Sequence, residues 1–228
     1  MGGFFGAVSA NDCILDVFYG TDYHSHLGTR RGGMTSYSAE LGFQRNIHSI
    51  ENSPFRTKFE KDVEKMRGNI CIGCISDTDP QPIMVRSKLG LYAVCSIGII
   101  QNAKALSEEL LENGCANFET MSSGNINSGG LIGALIAQKP TFVEGIRYAQ
   151  SKIEGTMSLV IMTEDSIICA RDKAGKLPIL IGKRSDGYCF SFESFAYQKL
   201  GYETCHELKA GEITKLTKDG YEVLYEGC

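Results

Sequence analysis

The hydrophobic pattern of this 228-residue chain changes its period twice along the sequence. Short apolar runs over residues 70–75 and 91–96 are typical of buried β-strands. The centre of the chain then takes on a helical period, and the last third returns to short runs of strand type. Strands, then helices, then strands again predict a layered α+β fold.

Three helices are predicted in the central part of the chain. Asn102 is a candidate N-cap for a helix over residues 103–113. Thr141 and Glu144 form a capping box at the start of another helix, which is followed by a glycine at its far end. A further helix is predicted over residues 129–137.

Antiparallel hairpins are predicted in the last third. The strongest signal is Lys218-Asp219-Gly220, because Asp-Gly pairs favour the tight turns that join paired strands. Turn residues also separate the other strand pairs. The three pairs are residues 158–162 with 167–170, 177–181 with 188–192, and 212–216 with 221–224.

Composition restricts the class of protein. The chain is 43% hydrophobic and 22% charged, which is ordinary for a globular domain, and no linker or repeat divides residues 1–228. The formal charge of −4, without any run of Lys and Arg, argues against nucleic-acid binding and against polybasic membrane contact. No stretch approaches the ~20 apolar residues of a membrane span and no leader is visible, so a cytoplasmic protein is expected.

The nine cysteines and four histidines of the chain are candidate metal ligands. Cys71 and Cys74 form a CxxC pair, but in a strand residues three apart point to opposite faces. His24 and His26 have no further ligands at metal-site spacing. Cysteines inside apolar runs are expected to be reduced and buried, and neither a metal nor a cofactor is expected.

A series of short motifs runs in order along nearly the whole chain. It begins with Gly2-Gly3-Phe4-Phe5-Gly6 and continues through Tyr19-Gly20, Arg31-Gly32, Ile72-Gly73, Gln81-Pro82, Met162-Thr163-Glu164, Ala170-Arg171-Asp172, Glu193-Ser194 and Gly211-Glu212. In this the chain resembles class II glutamine amidotransferase domains of the amidophosphoribosyltransferase type. The resemblance implies a four-layered αββα sandwich of the N-terminal nucleophile hydrolase type, with largely antiparallel sheets.

The resemblance also implies a mechanism that this sequence cannot carry out in the usual way. In the family, a cysteine that follows the removed Met attacks the side-chain amide of glutamine, with its own α-amine as base. A thiolate is a good nucleophile, and an α-amine with a pKa of about 8 can accept its proton. Gly2 stands at that position here, and glycine has no side chain with which to form a thioester.

Three other positions depart from the family pattern. The arginine that binds the substrate carboxylate corresponds to Ser76, and the aspartate that holds the substrate amine corresponds to Ser123. The asparagine that donates to the oxyanion corresponds to Ile97, whereas Gly98 keeps its backbone N–H. Loss of one oxyanion donor typically slows such reactions by about 10²–10³. The resemblance therefore predicts a degenerate glutaminase site.

Other residues leave alternatives open. Arg31 matches an Arg-Gly loop that lies beside the nucleophile in the family, and it is either a surviving anion or interface contact or a structural loop residue. Cys13, Cys74 or Cys95 could serve as a relocated nucleophile.

The leading hypothesis is a domain that has lost glutamine hydrolysis and acts as a structural or regulatory partner. The domain that it would serve is a phosphoribosyltransferase domain, in cis or in trans. Alternatives are a module that binds a small metabolite in the altered pocket and a glutaminase with a relocated nucleophile. A homo-oligomer is compatible with the sequence.

Overall fold

The computed structural model describes residues 2–114 and 124–227, which form two antiparallel sheets flanked by helices. The strands in chain order are β1 Gly2–Ser9, β2 Arg31–Ser38, β3 Gly42–Ser49, β4 Ile70–Ser76, β5 Ile83–Ser87, β6 Gly90–Ile100, β7 Gly155–Met162, β8 Ile167–Ala170, β9 Leu180–Arg184, β10 Gly187–Ser191, β11 Glu203–Glu207, β12 Ile213–Leu216 and β13 Tyr221–Tyr225. The helices are α1 Ile14–Tyr23, α2 Phe55–Val63, α3 Ala103–Glu112, α4 Ser128–Ile136, α5 Phe142–Lys152 and α6 Phe195–Gln198, with a short 3-10 helix at His24–Leu27.

The first sheet has the strand order β11-β9-β10-β1-β4-β2-β3, and the second has the order β13-β12-β8-β7-β6-β5. Strand β1 lies in the middle of the first sheet, antiparallel to both β10 and β4. Its first residue, Gly2, stands opposite Ser76 at the end of β4. The beginning of the described chain is thus fixed at the centre of a sheet.

The two sheets pack face to face through an apolar layer. Phe4 and Ile72 of the first sheet and Cys95 and Val160 of the second are fully buried members of this layer. Helices α1, α2 and α6 cover the outer face of the first sheet, and α3, α4 and α5 cover the outer face of the second. The predicted four-layered αββα sandwich is therefore confirmed.

The central helices are confirmed, with one error about capping. The Thr141 hydroxyl accepts the N–H of Glu144 at 3.2 Å, which caps α5 as predicted. The side chain of Asn102 does not cap α3. Its amide instead donates to the carbonyl of Lys152 and accepts the N–H of Glu154, because the end of α5 passes beside it. Asn102 therefore ties two segments together.

The three hairpins are confirmed, and one strand begins later than predicted. Residues 177–179 precede the strand, which starts at Leu180. Pro178 has no N–H to donate to a ladder, and the carbonyl of Leu177 accepts a hydrogen bond from the Arg171 side chain instead. A second error concerns Arg31, which starts strand β2 and does not lie in a loop.

The cysteine predictions hold for most of the described residues. Cys71 faces the helices and Cys74 faces the other sheet, so the two residues of the CxxC pair lie on opposite sides of β4, as predicted. Six of the seven described cysteines are buried and free, whereas Cys205 is exposed. In the part of the chain that the structure describes, no helix is long and apolar enough to cross a membrane.

Candidate functional site

A cavity of about 320 Å3 opens where the ends of the two sheets meet. The first sheet contributes the beginning of β1 and the end of β4, and the second contributes β6 and β7. The remaining wall comes from the loop after β4, the start of α4 and the segment before β9. The lining residues are Gly2, Ser76, Thr78, Asp79, Gln81, Ser96, Ile97, Gly98, Ile99, Ile100, Ser128, Ile132, Thr156, Met157, Lys176 and Leu177.

The structure brings four of the predicted site residues together in this cavity: Gly2, Ser76, Ile97 and Gly98. Arg31 stands opposite Ser76 on the other side of β4, but it is exposed and does not line the cavity. Its side chain makes no hydrogen bond or ion pair with the described residues. Ser123 lies outside the described residues.

Gly2 has no room for a side chain in this backbone arrangement. A Cβ atom added to Gly2 would lie far inside van der Waals contact of the carbonyl oxygen of Ile75. The same Cβ atom would be 3.1 Å from Cδ1 of Ile97, on the opposite sheet. The position that corresponds to the nucleophile is thus closed by backbone on one side and by an apolar side chain on the other.

The hydroxyl of Ser76 is engaged in holding the loop that follows β4. Its Oγ accepts the N–H groups of Thr78 and Asp79, both at 3.2 Å. Serine also lacks the planar pair of donors with which an arginine binds a carboxylate. Ser76 therefore shapes the cavity wall, and it supplies no positive charge to a ligand.

The positions on β6 differ in what they can offer. Ile97 is buried, with 8% of its surface exposed, and its side chain has no hydrogen-bond donor. Only backbone groups remain for hydrogen bonding at this position. Gly98 has φ +154°, and a Cβ atom at this position would collide with the carbonyl oxygen of Thr156 on the paired strand β7. Glycine is required at residue 98 by this close approach of two strands.

Gln81 is a wall residue that belongs to one of the motifs quoted above, but the sequence predicted no role for it. Its buried amide donates to the carbonyl of Ser96 at 3.0 Å and accepts the N–H of the same residue at 2.6 Å. These two bonds fix the loop after β4 to strand β6 directly beside Ile97. The signal in the sequence was only the dipeptide Gln81-Pro82, which does not reveal this pairing.

Charged wall residues were also missed. Asp79 is only 3% exposed, and its Oδ2 accepts the N–H of Ser128 at 3.1 Å, at the start of α4. Lys176, in contrast, is exposed at the edge of the cavity. Neither residue has a position in the family motifs quoted above, so only the folded arrangement brings them to the site.

The candidate replacement nucleophiles lie away from the cavity. Cys13, Cys74 and Cys95 are at most 1% exposed, and none of them lines the cavity. Burial raises the pKa of the Cys95 thiol, and its contact with Cys74 raises it further. Cys13 lies 3.4 Å from Cys71, sulfur to sulfur, under the helices on the outer face of the first sheet. A thiol without access to substrate is a poor nucleophile, and the raised pKa of Cys95 makes that thiol poorer still.

His24 is a buried structural residue. Its Nδ1 lies 2.8 Å from the carbonyl oxygen of Gly20, and Ser191 Oγ lies 3.1 Å from its Nε2. The bonding assigns the ring proton to Nδ1, so Nε2 accepts the serine hydroxyl. Both side chains are fully buried, which excludes substrate from this Ser-His pair. Among the residues that the structure describes, no group of three potential ligands is arranged for a metal ion.

A larger groove of about 720 Å3 lies on the outer surface between α1 and α2. Its walls include Leu15, Tyr19 and Arg56, and none of the predicted site residues contributes to it. It is separated from the cavity by the first sheet.

Comparison with known proteins supports the resemblance. A family model described as a glutamine amidotransferase domain matches residues 66–198. An amidophosphoribosyltransferase of Archaeoglobus fulgidus is 26% identical over 212 residues, which cover 90% of this chain and 45% of the relative. An amidophosphoribosyltransferase of Staphylococcus epidermidis is 32% identical over 208 residues, covering 88% of this chain and 38% of the relative.

The chain has the same fold as a domain of a solved structure. Glutamine phosphoribosylpyrophosphate amidotransferase from B. subtilis, complexed with ADP and GMP, superimposes with a TM-score of 0.85. It is 23% identical, and the match covers 99% of this chain and 49% of that protein. The chain thus spans about half the length of the relatives that it matches.

Proposed function

The chain belongs to the class II glutamine amidotransferase domain family, and from this premise we propose that its cavity has lost glutamine hydrolysis. In this proposal residues 1–228 act as one domain of the amidophosphoribosyltransferase type, with a structural or regulatory role.

The main support for the proposal is that residue 2 is a glycine. Hydrolysis through a thioester needs a side-chain nucleophile that an adjacent base can activate. Residue 2 has no such side chain, and the carbonyl of Ile75 together with the Ile97 side chain fills the space that one would occupy. The reaction therefore lacks its first step in this cavity.

Two other wall positions support the same conclusion. The Ser76 hydroxyl accepts the N–H groups of its own loop, and serine has no positive charge with which to bind a substrate carboxylate. Ile97 provides no donor to a developing oxyanion, and preorganised donors of this kind are usually the largest single contribution to such catalysis. Binding and transition-state stabilisation are thus weakened together with the nucleophile.

The proposed partner is a phosphoribosyltransferase domain that takes ammonia from another source. The support for it is that the matched relatives carry the name amidophosphoribosyltransferase and are about twice as long as the matched region. We propose that this domain contacts such a domain in cis or in trans and contributes to its stability or regulation.

Covalent labelling tests the proposal against a relocated nucleophile. Treatment with an electrophilic glutamine analogue, followed by peptide mass mapping, is expected to leave Cys13, Cys74 and Cys95 unmodified, because their thiols are buried. A small general alkylating reagent serves as the control, and it is expected to modify the exposed Cys205. A stoichiometric adduct of the glutamine analogue on any of the three buried cysteines would overturn the proposal.

A second candidate function is the binding of a small metabolite in the altered cavity. It is favoured by one observation, the buried Asp79 carboxylate in a wall that is otherwise rich in apolar groups. Binding and structural roles are compatible, since a domain that no longer turns over a substrate can still respond to a ligand.

A further inference from the structure

We propose that the cavity binds a small primary amine with an apolar body, and that Asp79 is the counter-ion of its ammonium group. This inference rests on the proposed function, in which the cavity no longer hydrolyses glutamine. It names the chemistry of the ligand that takes the place of the former substrate.

Asp79 is a buried carboxylate that no cation pairs with in the part of the chain that the structure describes. It is 3% exposed, and from the described residues its side chain accepts one hydrogen bond, from the N–H of Ser128. No lysine, arginine or histidine among residues 2–114 and 124–227 forms an ion pair with it. A carboxylate removed from water is costly unless a positive charge or several donors compensate it. Lys176, the cation of the described cavity wall, is exposed at the cavity edge and is not paired with Asp79, so this buried carboxylate has no counter-ion among the described residues.

The helix beside Asp79 supplies only part of the compensation. Ser128 is the first residue of α4, and the start of a helix carries a partial positive charge of roughly half a unit. The other free N–H groups at this end are already used, because Asn127 accepts those of Gly129 and Gly130. An ammonium group in the cavity would supply the remaining charge and up to three hydrogen-bond donors.

The rest of the wall fits the remainder of such a molecule. Ile97, Ile132, Met157 and Leu177 give the cavity apolar sides, which favour an aliphatic body over a second charged group. Wall hydroxyls such as that of Thr78 can accept hydrogen bonds from an ammonium group. The volume of about 320 Å3 lies at the small end of the range for small-molecule sites, about 300–1,000 Å3.

Calorimetric titration of the whole chain with compounds of one shape tests the inference. Pentylamine is compared with pentanol, which is neutral, and with valerate, which is anionic. Pentylamine is expected to bind at least about tenfold more tightly than either, because charge-assisted hydrogen bonds are roughly twice as strong as neutral ones. Equal binding of pentanol or valerate would overturn the role of the carboxylate. Equal binding of ammonium chloride would overturn the need for an apolar body.

The variant Asp79→Asn separates the charge from the local structure. Asparagine keeps an oxygen that can accept the N–H of Ser128, so the start of α4 retains its contact. This variant is expected to bind pentylamine at least about tenfold more weakly and to melt at a higher temperature without ligand, because an uncompensated charge is gone. The matched control is Asp219→Asn, at an exposed turn, which is expected to change neither quantity. Unchanged pentylamine binding by Asp79→Asn would overturn the proposal.

The two proposals fail in different ways. Glutamate release by the natural chain would contradict the loss of hydrolysis, whatever the amines do. No binding of pentylamine by a chain that also releases no glutamate would overturn only the amine site. The comparison of pentylamine with pentanol needs no variant, so it holds even if Asp79→Asn folds poorly.

Discussion

Replacement of Gly33 by alanine is expected to lower the free energy of unfolding by about 3 kcal/mol or more, at the upper end of overpacking effects. Gly33 lies in β2, where the loop after β4 passes directly over it. A Cβ atom there would fall far inside van der Waals contact of the carbonyl oxygen of Gln81, and 2.9 Å from Cδ of Pro82. The obstacle is backbone rather than a flexible side chain, so the loop itself must move.

Movement of the loop after β4 is also expected to change the wall of the cavity. Gln81 holds the backbone of Ser96 through both groups of its amide, and Ser96 precedes Ile97 on β6. The control is Gly220→Ala, because a Cβ atom at Gly220 meets nothing within 4 Å. Chemical denaturation of both variants measures the difference. Equal stability of the two variants would show that the loop does not restrict residue 33.

Acidification is expected to destabilise the protein through His24. Burial, the largest cause, lowers the pKa of His24 from 6.5 to about 4; the carbonyl of Gly20 and the charge of Glu193 oppose this, and His26 adds to it. The unfolded chain therefore binds a proton at His24 below pH 6.5, whereas the folded chain does so only near pH 4. The contribution of His24 to the free energy of unfolding is fully present above pH 6.5. It falls by about 3 kcal/mol as the pH is lowered to 4.

A variant without the titrating ring isolates this contribution. Denaturant unfolding of the natural chain and of His24→Gln at several pH values between 4 and 6.5 gives the free energy of unfolding of each protein as a function of pH. The natural chain is expected to lose about 3 kcal/mol more than the variant across this window. The carboxyl of Asp186, whose pKa the Arg184 side chain lowers to about 2, acts below the window. Parallel curves for the two proteins would show that His24 does not carry the pH dependence.

Sequence patterns identified the elements with strong local signals. Thr141 caps α5 because a capping hydroxyl and its helix are adjacent in the chain, and the Asp-Gly turn fixes the last hairpin in the same local way. The resemblance supplied the layer order, which no local pattern contains. These parts of the fold are confirmed.

The elements that were missed have their causes in tertiary contacts. Strand β2 contains Gly32 and Gly33, which are poor strand formers, but the neighbouring chain leaves no room for side chains there. Helix α1 exposes Leu15 and Tyr19 on its outer face. Because apolar residues then lie on both faces, the helical spacing of the buried ones cannot be recognised in the sequence. Such features become visible only after the chain has folded.

The candidate site was predicted in part. Motif positions located Gly2, Ser76, Ile97 and Gly98, and the structure places all four around one cavity. The roles of Asp79 and Gln81 were not predicted, because they depend on the start of α4 and on the backbone of β6, which are distant in sequence. Spacing along the chain carries no information about such contacts.

Glutamate release by the purified chain measures directly whether this cavity hydrolyses glutamine. We expect no release from the natural chain, because Gly2 offers no nucleophile. We also expect none from Gly2→Cys, because the new side chain would meet the carbonyl of Ile75 and the Ile97 side chain. Release of glutamate by the natural chain above the enzyme-free rate would contradict the account.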